Sequence, residues 1–216
     1  MFDISIIFKY TLPLLQGMWT TAWISFTSIF LGFLLGLYLY SLRKSQNRLL
    51  NNIVRVYISF FRGTPLLVQL AIIFYFLPLL NINIPPIIAA IISLSMNTAA
   101  FQAEILRAGF NAIPKGQDES CWVFGLTSFQ AFFYIKLPQV IKSTLPALIN
   151  EAIDIIKNSS LISTIAVMDL MRIVQTYSST TYRPLEFFVA AGVIYLILTS
   201  IINLIGVYIE KKLNVY

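Results

Sequence analysis

The side chains able to do chemistry in this chain are few, and their spacing argues against bond-making. It contains no histidine and one cysteine, Cys121. The commonest metal ligand and acid–base catalyst is thus absent, and a lone thiol matches no metal-binding spacing. Asp118 and Glu119 are neighbours, so on a helix they point about 100° apart and cannot converge as an acid–base pair. The remaining polar groups are periodic. At about 100° per residue, Asn150, Glu151, Asp154, Lys157 and Asn158 share one face roughly 120° wide, opposite Ile149, Ala152, Ile153 and Ile156. Asn97 and Glu104 lie seven residues apart, hence on one face, with Ala100 and Ala108 beside them and Arg107 within i,i+3 reach of Glu104.

The elements that must position these groups are membrane spans. Hydrophobic residues make up 58% of the 216 positions and charged residues 11%, against about 25% charged in a soluble domain. No charge lies between Lys9 and Arg43, between Arg62 and Glu104, or between Glu186 and Glu210. A spanning helix needs about 20 largely apolar residues, so the expected fold is all-α and integral to a membrane. The sequence predicts spans near Met18–Leu42, Tyr57–Leu80, Ile87 to Glu104–Arg107, and Phe187–Ile209. Residues 1–16 read as an amphipathic N-terminal segment on the membrane surface, since Ile4, Ile7, Phe8 and Leu12 recur at helical spacing. The net charge of +6 comes from basic residues beside the spans, a pattern of membrane topology rather than of nucleic-acid binding.

Residues 141–167 are ambiguous, with too many charges for a lipid-exposed helix. Counting them as a span gives five, and places the Lys- and Arg-rich connections and Lys211–Lys212 on the cytoplasmic side. The N-terminus is then outside and the C-terminus inside. Charges at membrane depth must face water or one another. The polar face could therefore line a solute path. It could instead hold an Asp154–Lys157 pair that fixes packing, or seat the helix near the interface. Five polar groups exceed what one ion pair explains, which favours the path. Asn97, Glu104, Asp154 and Lys157 are its candidate residues, although Glu104 fits a simple ion pair at the membrane edge at least as well.

Residues from about 110 to 138 form a polar connection. A turn at Ile113-Pro114-Lys115-Gly116-Gln117 leads to a predicted helix over Asp118–Phe124, with acidic residues in its first turn opposing the helix dipole. Gly125 ends it, and a second helix, Ser128–Ile135, is expected to stop before Leu137-Pro138. Trp122, Phe124, Phe129 and Phe132 would make this an apolar knob fit for a partner's groove, or else pack beneath the spans.

Here the sequence resembles a known family. Glu119-Ser120-Cys121, three residues, Gly125, nine residues, then Ile135-Lys136-Leu137-Pro138 is similar to the EAA loop of ABC importer permeases, with Ser120 and Cys121 in place of two alanines. Phe61-Arg62-Gly63-Thr64-Pro65-Leu66-Leu67-Val68-Gln69, Ala103-Glu104-Ile105-Leu106-Arg107-Ala108-Gly109 and Lys157-Asn158-Ser159-Ser160-Leu161 resemble the polar amino acid branch of that family. Asn158 stands where the family often has aspartate.

The resemblance implies a single transmembrane permease domain of type I, with five transmembrane helices and cytoplasmic coupling helices. It implies that Gln117, Glu119, Trp122, Gly125, Leu137 and Pro138 couple to an ATPase. It also implies the partners: a dimer of ABC ATP-binding subunits, a second permease chain (a copy or a paralogue), an extracytoplasmic solute-binding protein, and a polar amino acid, with glutamine the first guess. The place is a bacterial inner membrane. No Gly-x4-Gly-Lys-Ser/Thr run occurs, so ATP would be hydrolysed on another polypeptide, and no cofactor or metal is expected on this one. Rivals are an ABC permease for another solute, such as methionine or a small anion, and a gradient-driven secondary transporter whose carboxylates relay protons. An intramembrane enzyme lacks a constellation to support it.

Overall fold

The computed structural model describes residues 5–213, and every described element is helical. A short α1 (Ser5–Lys9) precedes the long α2 (Thr11–Arg43). The boundary expected at residue 16 therefore falls inside α2, and Ile4 lies outside the described residues. Nothing between Thr11 and Met18 breaks the helix. Pro13 sits in its first turn, where no backbone donor is lost, and Gly17 lies so close to Leu170 that a Cβ there would be 2.8 Å from its Cα.

After Asn47, whose side chain accepts from the Leu49 amide at 2.9 Å, come α3 (Arg48–Gly63) and α4 (Leu66–Leu79). The single second span expected from the sequence is thus broken, with a bend of 111° between the two pieces. The cause is local. Thr64 precedes Pro65 and is pushed to φ −120°, ψ 149°, the extended region a residue before proline prefers. The broken backbone is tied by side chains. Gln69 Nε2 donates to the Phe61 and Thr64 carbonyls, both at 2.9 Å.

The seam between α2 and α5 (Pro86–Asn111) is the centre of the bundle. Gly32 and Gly36 of α2 face Ser95, Thr98, Ala99 and Ala103 of α5, small residues that let two backbones approach. A Cβ on Gly32 would lie 2.2 Å from Thr98 Cγ2, while one on Gly192 would meet open space. Gly32→Ala is expected to lower stability by about 1–3 kcal/mol through overpacking, read as a thermal shift in detergent, with Gly192→Ala near neutral. Equal shifts for the two would refute the seam.

The polar connection holds α6 (Lys115–Val123), a one-turn α7 (Ser128–Gln130) and a π-helical stretch, Ala131–Lys136, that runs on into α8 (Leu137–Asn158). The stop expected before Leu137-Pro138 does not occur. The π stretch shifts the hydrogen bonds by one residue, with the Leu137 amide donating to the Phe132 carbonyl. Pro138, lacking a donor, falls in the first turn of α8, where proline costs little. Beyond α8, a 3₁₀ stretch Ser159–Ile165 ends at Ala166 with φ 61°.

The chain then forms α9 (Leu170–Thr181), an element absent from the sequence reading, and α10 (Pro184–Lys212). Leu170, Val174 and Phe187 bury with Leu14 in a hydrophobic cluster of their own. Three helices, α2, α5 and α10, are each long and apolar enough to cross a membrane, and the bent α3–α4 pair qualifies as a fourth if taken together.

Candidate functional site

The knob is built by ordinary helix punctuation. Pro114 takes the extended conformation that starts α6. At its other end the Leu126 amide donates to the Cys121 carbonyl and the Gly125 amide to that of Trp122, both at 3.0 Å, the paired bonds of a Schellman turn. That turn requires φ of +68° at Gly125, which glycine adopts without strain. Thr127 and Gln130 then cap α7 reciprocally, each side chain accepting from the other's backbone amide.

This geometry sorts the aromatics. Trp122 is 87% exposed and Phe124 81%, and Val123 and Phe129 are exposed beside them. Phe132 turns inward instead. Its ring stacks on Phe110 at 5.2 Å, and Phe110 stacks on Tyr40 at 4.3 Å. Three elements, α2, α5 and the π stretch, thus share one aromatic pile. Lys136 closes an ion pair with Asp118, and Gln117 and Gln139 exchange amide hydrogen bonds at 2.8 Å. Burial first, then the nearby Lys44 ammonium, hold the Lys136 amine below its ordinary pKa. Glu119 is exposed and makes no ion pair among the described residues. Leu137 and Pro138 lie at the junction with α8. The result is a knob fixed firmly from behind that offers an apolar, partly acidic front.

Along α8, Asn150, Asp154, Lys157 and Asn158 are exposed on the chain, whereas Glu151 is buried. Lys157 and Asp154 pair at 2.6 Å, which leaves the two asparagines open on the same face. Glu151, at the edge of that face, is turned inward and accepts from Thr98 Oγ1 at 2.8 Å, with Gln102 Nε2 donating to the same hydroxyl at 3.0 Å. The polar face expected from periodicity is present, minus its most buried member.

The α5 candidates are differently engaged. Asn97 is buried and donates to Gln69 Oε1 at 2.9 Å and to the Phe61 carbonyl at 3.3 Å, bracing the break between α3 and α4. Glu104 is 14% exposed and gathers Arg43, Arg107 at 2.7 Å and Arg62 at 3.9 Å. The Arg107 pair was expected; the partners Arg43, Arg62, Gln69 and Thr98 were not. Gln69 stands in the quoted second-span motif, yet nothing local to it announces a bond to α5. No cluster of metal-binding side chains occurs among the described residues.

Residues 28–215 match the family model described as a binding-protein-dependent transport system inner membrane component. The chain is 38% identical over 212 residues to the arginine transport system permease protein ArtQ of Bacillus subtilis (strain 168), covering 96% of this chain and 97% of that one. It is 37% identical over 203 residues to a putative glutamine transport system permease protein GlnP of Rickettsia prowazekii (strain Madrid E), covering 94% and 93%. Among solved structures, a chain of an amino acid ABC transporter crystallised with histidines superposes with a TM-score of 0.90 at 34% identity, covering 98% of this chain and 99% of that one. A chain of the inward-facing MetNI methionine ABC transporter shares the fold, with a TM-score of 0.79 at 24% identity over 95% and 98%. With a family model spanning most of its length and relatives matched nearly end to end, the chain belongs to the inner membrane permeases of binding-protein-dependent ABC transport systems.

Proposed function

We propose that this chain is the translocating subunit of an importer of polar amino acids, with glutamine the first cargo to test. The energy comes from ATP hydrolysed on a separate pair of subunits, and translocation proceeds by alternating access. The observation that carries this reading is the knob. Trp122, Val123 and Phe124 are held open to solvent by a turn only glycine makes comfortably, while Asp118, Gln117 and Phe132 lock the same loop to α2, α5 and α8. A gradient-driven carrier has no use for such a surface. The relatives named for arginine, glutamine and cystine transport support an amino acid as cargo.

The path itself runs along the exposed face of α8. Asp154 and Lys157, flanked by Asn150 and Asn158, offer both signs of charge and amides to a zwitterion. An exposed polar face at membrane depth needs a water-filled boundary, and a second permease chain, in the simplest case a twofold copy, would enclose it. The contacts of Asn97 and Glu104 support a bracing role for both. Five spans result when α3–α4 counts as one and α8 as another, with the N-terminus outside and the C-terminus and knob in the cytoplasm of a bacterial cell. An extracytoplasmic binding protein delivers the cargo.

Proteoliposomes holding the full complex test this directly. Uptake of labelled glutamine that requires ATP on the ATPase side is the expected result. Uptake indifferent to ATP would replace the reading with a gradient-driven carrier, and ATPase stimulation by a different amino acid alone would change the cargo.

A further inference from the structure

Helix α3 carries three stripes. Val54, Ile58 and Phe61 are buried in the bundle. Arg48, Asn52, Arg55, Ser59 and Arg62 follow one another at intervals of three and four along an exposed face. Leu49, Ile53, Val56 and Phe60 form a third stripe, also exposed. At about 100° per residue the cationic and the exposed apolar stripes adjoin, so a single ligand could touch both.

The charges beside α3 do not balance. Arg43, Arg62 and Arg107 all reach Glu104, while Arg55 makes no ion pair among the described residues. Arg43, Arg55, Ser59 and Arg62, with Glu104, line an open cavity of about 440 Å³. A neighbouring cavity shares Arg43 and Arg55 and extends to Asp118 and Lys136, which puts the arginines at the same end of the bundle as the knob. Several guanidiniums around one carboxylate leave an uncompensated positive site. Guanidinium forks match phosphate oxygens in pairs, and basic pockets between helices at the cytoplasmic leaflet suit anionic headgroups.

We propose that this cavity binds the phosphate headgroup of an anionic phospholipid, with acyl chains lying along Leu49, Ile53, Val56 and Phe60. The lipid supplies the counter-charge that Glu104 cannot, and the apolar stripe favours an amphiphile over a free phosphate. The proposal rests on the cytoplasmic placement of the knob given above.

The test is native mass spectrometry of the full transporter complex, taken from nanodiscs that mix an anionic with a zwitterionic phospholipid. The wild type is expected to retain the anionic lipid selectively. Arg55→Ala should lower that retention about fivefold, in line with the contribution of one arginine near a charged lipid surface. Ser59→Leu, which keeps every arginine but fills the cavity, should lower it too, and it decides the matter if Arg55→Ala fails to assemble. Lys211→Ala, a basic residue at the end of α10, should leave retention unchanged. Equal retention of both lipids by the wild type, or undiminished retention in Ser59→Leu, overturns the proposal. So does displacement of the anionic lipid by inorganic phosphate at equal molar excess, which would make the site one for a free anion. Weakened binding of labelled glutamine in Arg55→Ala with lipid retention intact would reassign the arginines to the cargo. Lipid counts need no turnover, so a failure of the transport reading and a failure of this one are told apart.

Discussion

Replacing Trp122 and Phe124 together by aspartate should abolish ATP-driven uptake, by at least about a hundredfold, while leaving the permease folded. Both side chains are more than four-fifths exposed, so the isolated chain loses little packing when they change. On the proposed function the same rings are the anchors for the ATPase subunit. Truncating a well-seated aromatic typically costs about 2–4 kcal/mol of binding, and a carboxylate in its pocket adds a desolvation penalty. The measurement is a pair of readouts on one preparation: co-purification of the ATPase subunits with the permease, and ATP-dependent uptake in proteoliposomes. A double variant that keeps its ATPase and transports at the wild-type rate would remove the knob from the mechanism. Phe132→Asp serves as the contrast. Its ring lies in the pile with Phe110 and Tyr40, so that variant should fail by unfolding the loop, and its melting temperature should fall.

The second large effect concerns Glu104. Glu104→Ala should destabilise the chain by about 2–3 kcal/mol, below the 3–5 kcal/mol typical of a fully buried pair, because its arginine partners are 25–45% exposed and water screens part of the loss. For a protein of this length that corresponds to a fall of roughly 5–10 °C in the melting midpoint. The ends of α2, α3 and α5 are tied through this one carboxylate, and its removal leaves three guanidiniums facing one another. Asp154→Ala is the informative comparison. Asp154 and Lys157 are 57% and 56% exposed, and an exposed pair contributes less than about 1 kcal/mol. It should melt close to the wild type yet transport poorly. Should Glu104→Ala melt with the wild type, the arginines must find their charge balance elsewhere.

How much of this was legible in residues alone depended on how far each cause lies along the chain. Gly125 was readable because a glycine closing a short amphiphilic helix has a local conformational reason to be there. The polar face of α8 was readable because helical periodicity acts over four residues. Glu151 escaped because its partner, Thr98, lies 53 positions away, and only the packing of α5 on α8 turns the carboxylate inward. Asn97 and Glu104 were correctly placed on one face of α5. That Asn97 braces a break in another span depends on Gln69, 28 positions distant, and on a kink that Thr64-Pro65 signals but whose angle it does not specify. Pro138 misled, since proline ordinarily stops a helix and here a π stretch shifts the bonding to admit it. Helix α9 went unseen because Ser178-Ser179-Thr180-Thr181 are weak helix formers. Asp169, whose carboxylate accepts from the Arg172 amide at 2.9 Å, was the capping signal that would have revealed it.

The unbroken backbone from the π stretch into α8 has a mechanical consequence. One end of this arm is tied to α6 and its aromatic front through Lys136–Asp118 and Gln139–Gln117, and the other carries the Asp154–Lys157 face. The arm, the 22 residues of α8, measures roughly 33 Å at 1.5 Å per residue. A tilt of about 10° applied at the knob would sweep the far end by roughly 6 Å over that length, about the width of an amino acid backbone. No break interrupts the backbone at Leu137, and the proline in the arm's interior, Pro146, is where it would bend most readily. On the function proposed above, a subunit gripping Trp122 would need only a small rotation, and no contact with the cargo, to change which side of the membrane the charged face looks toward.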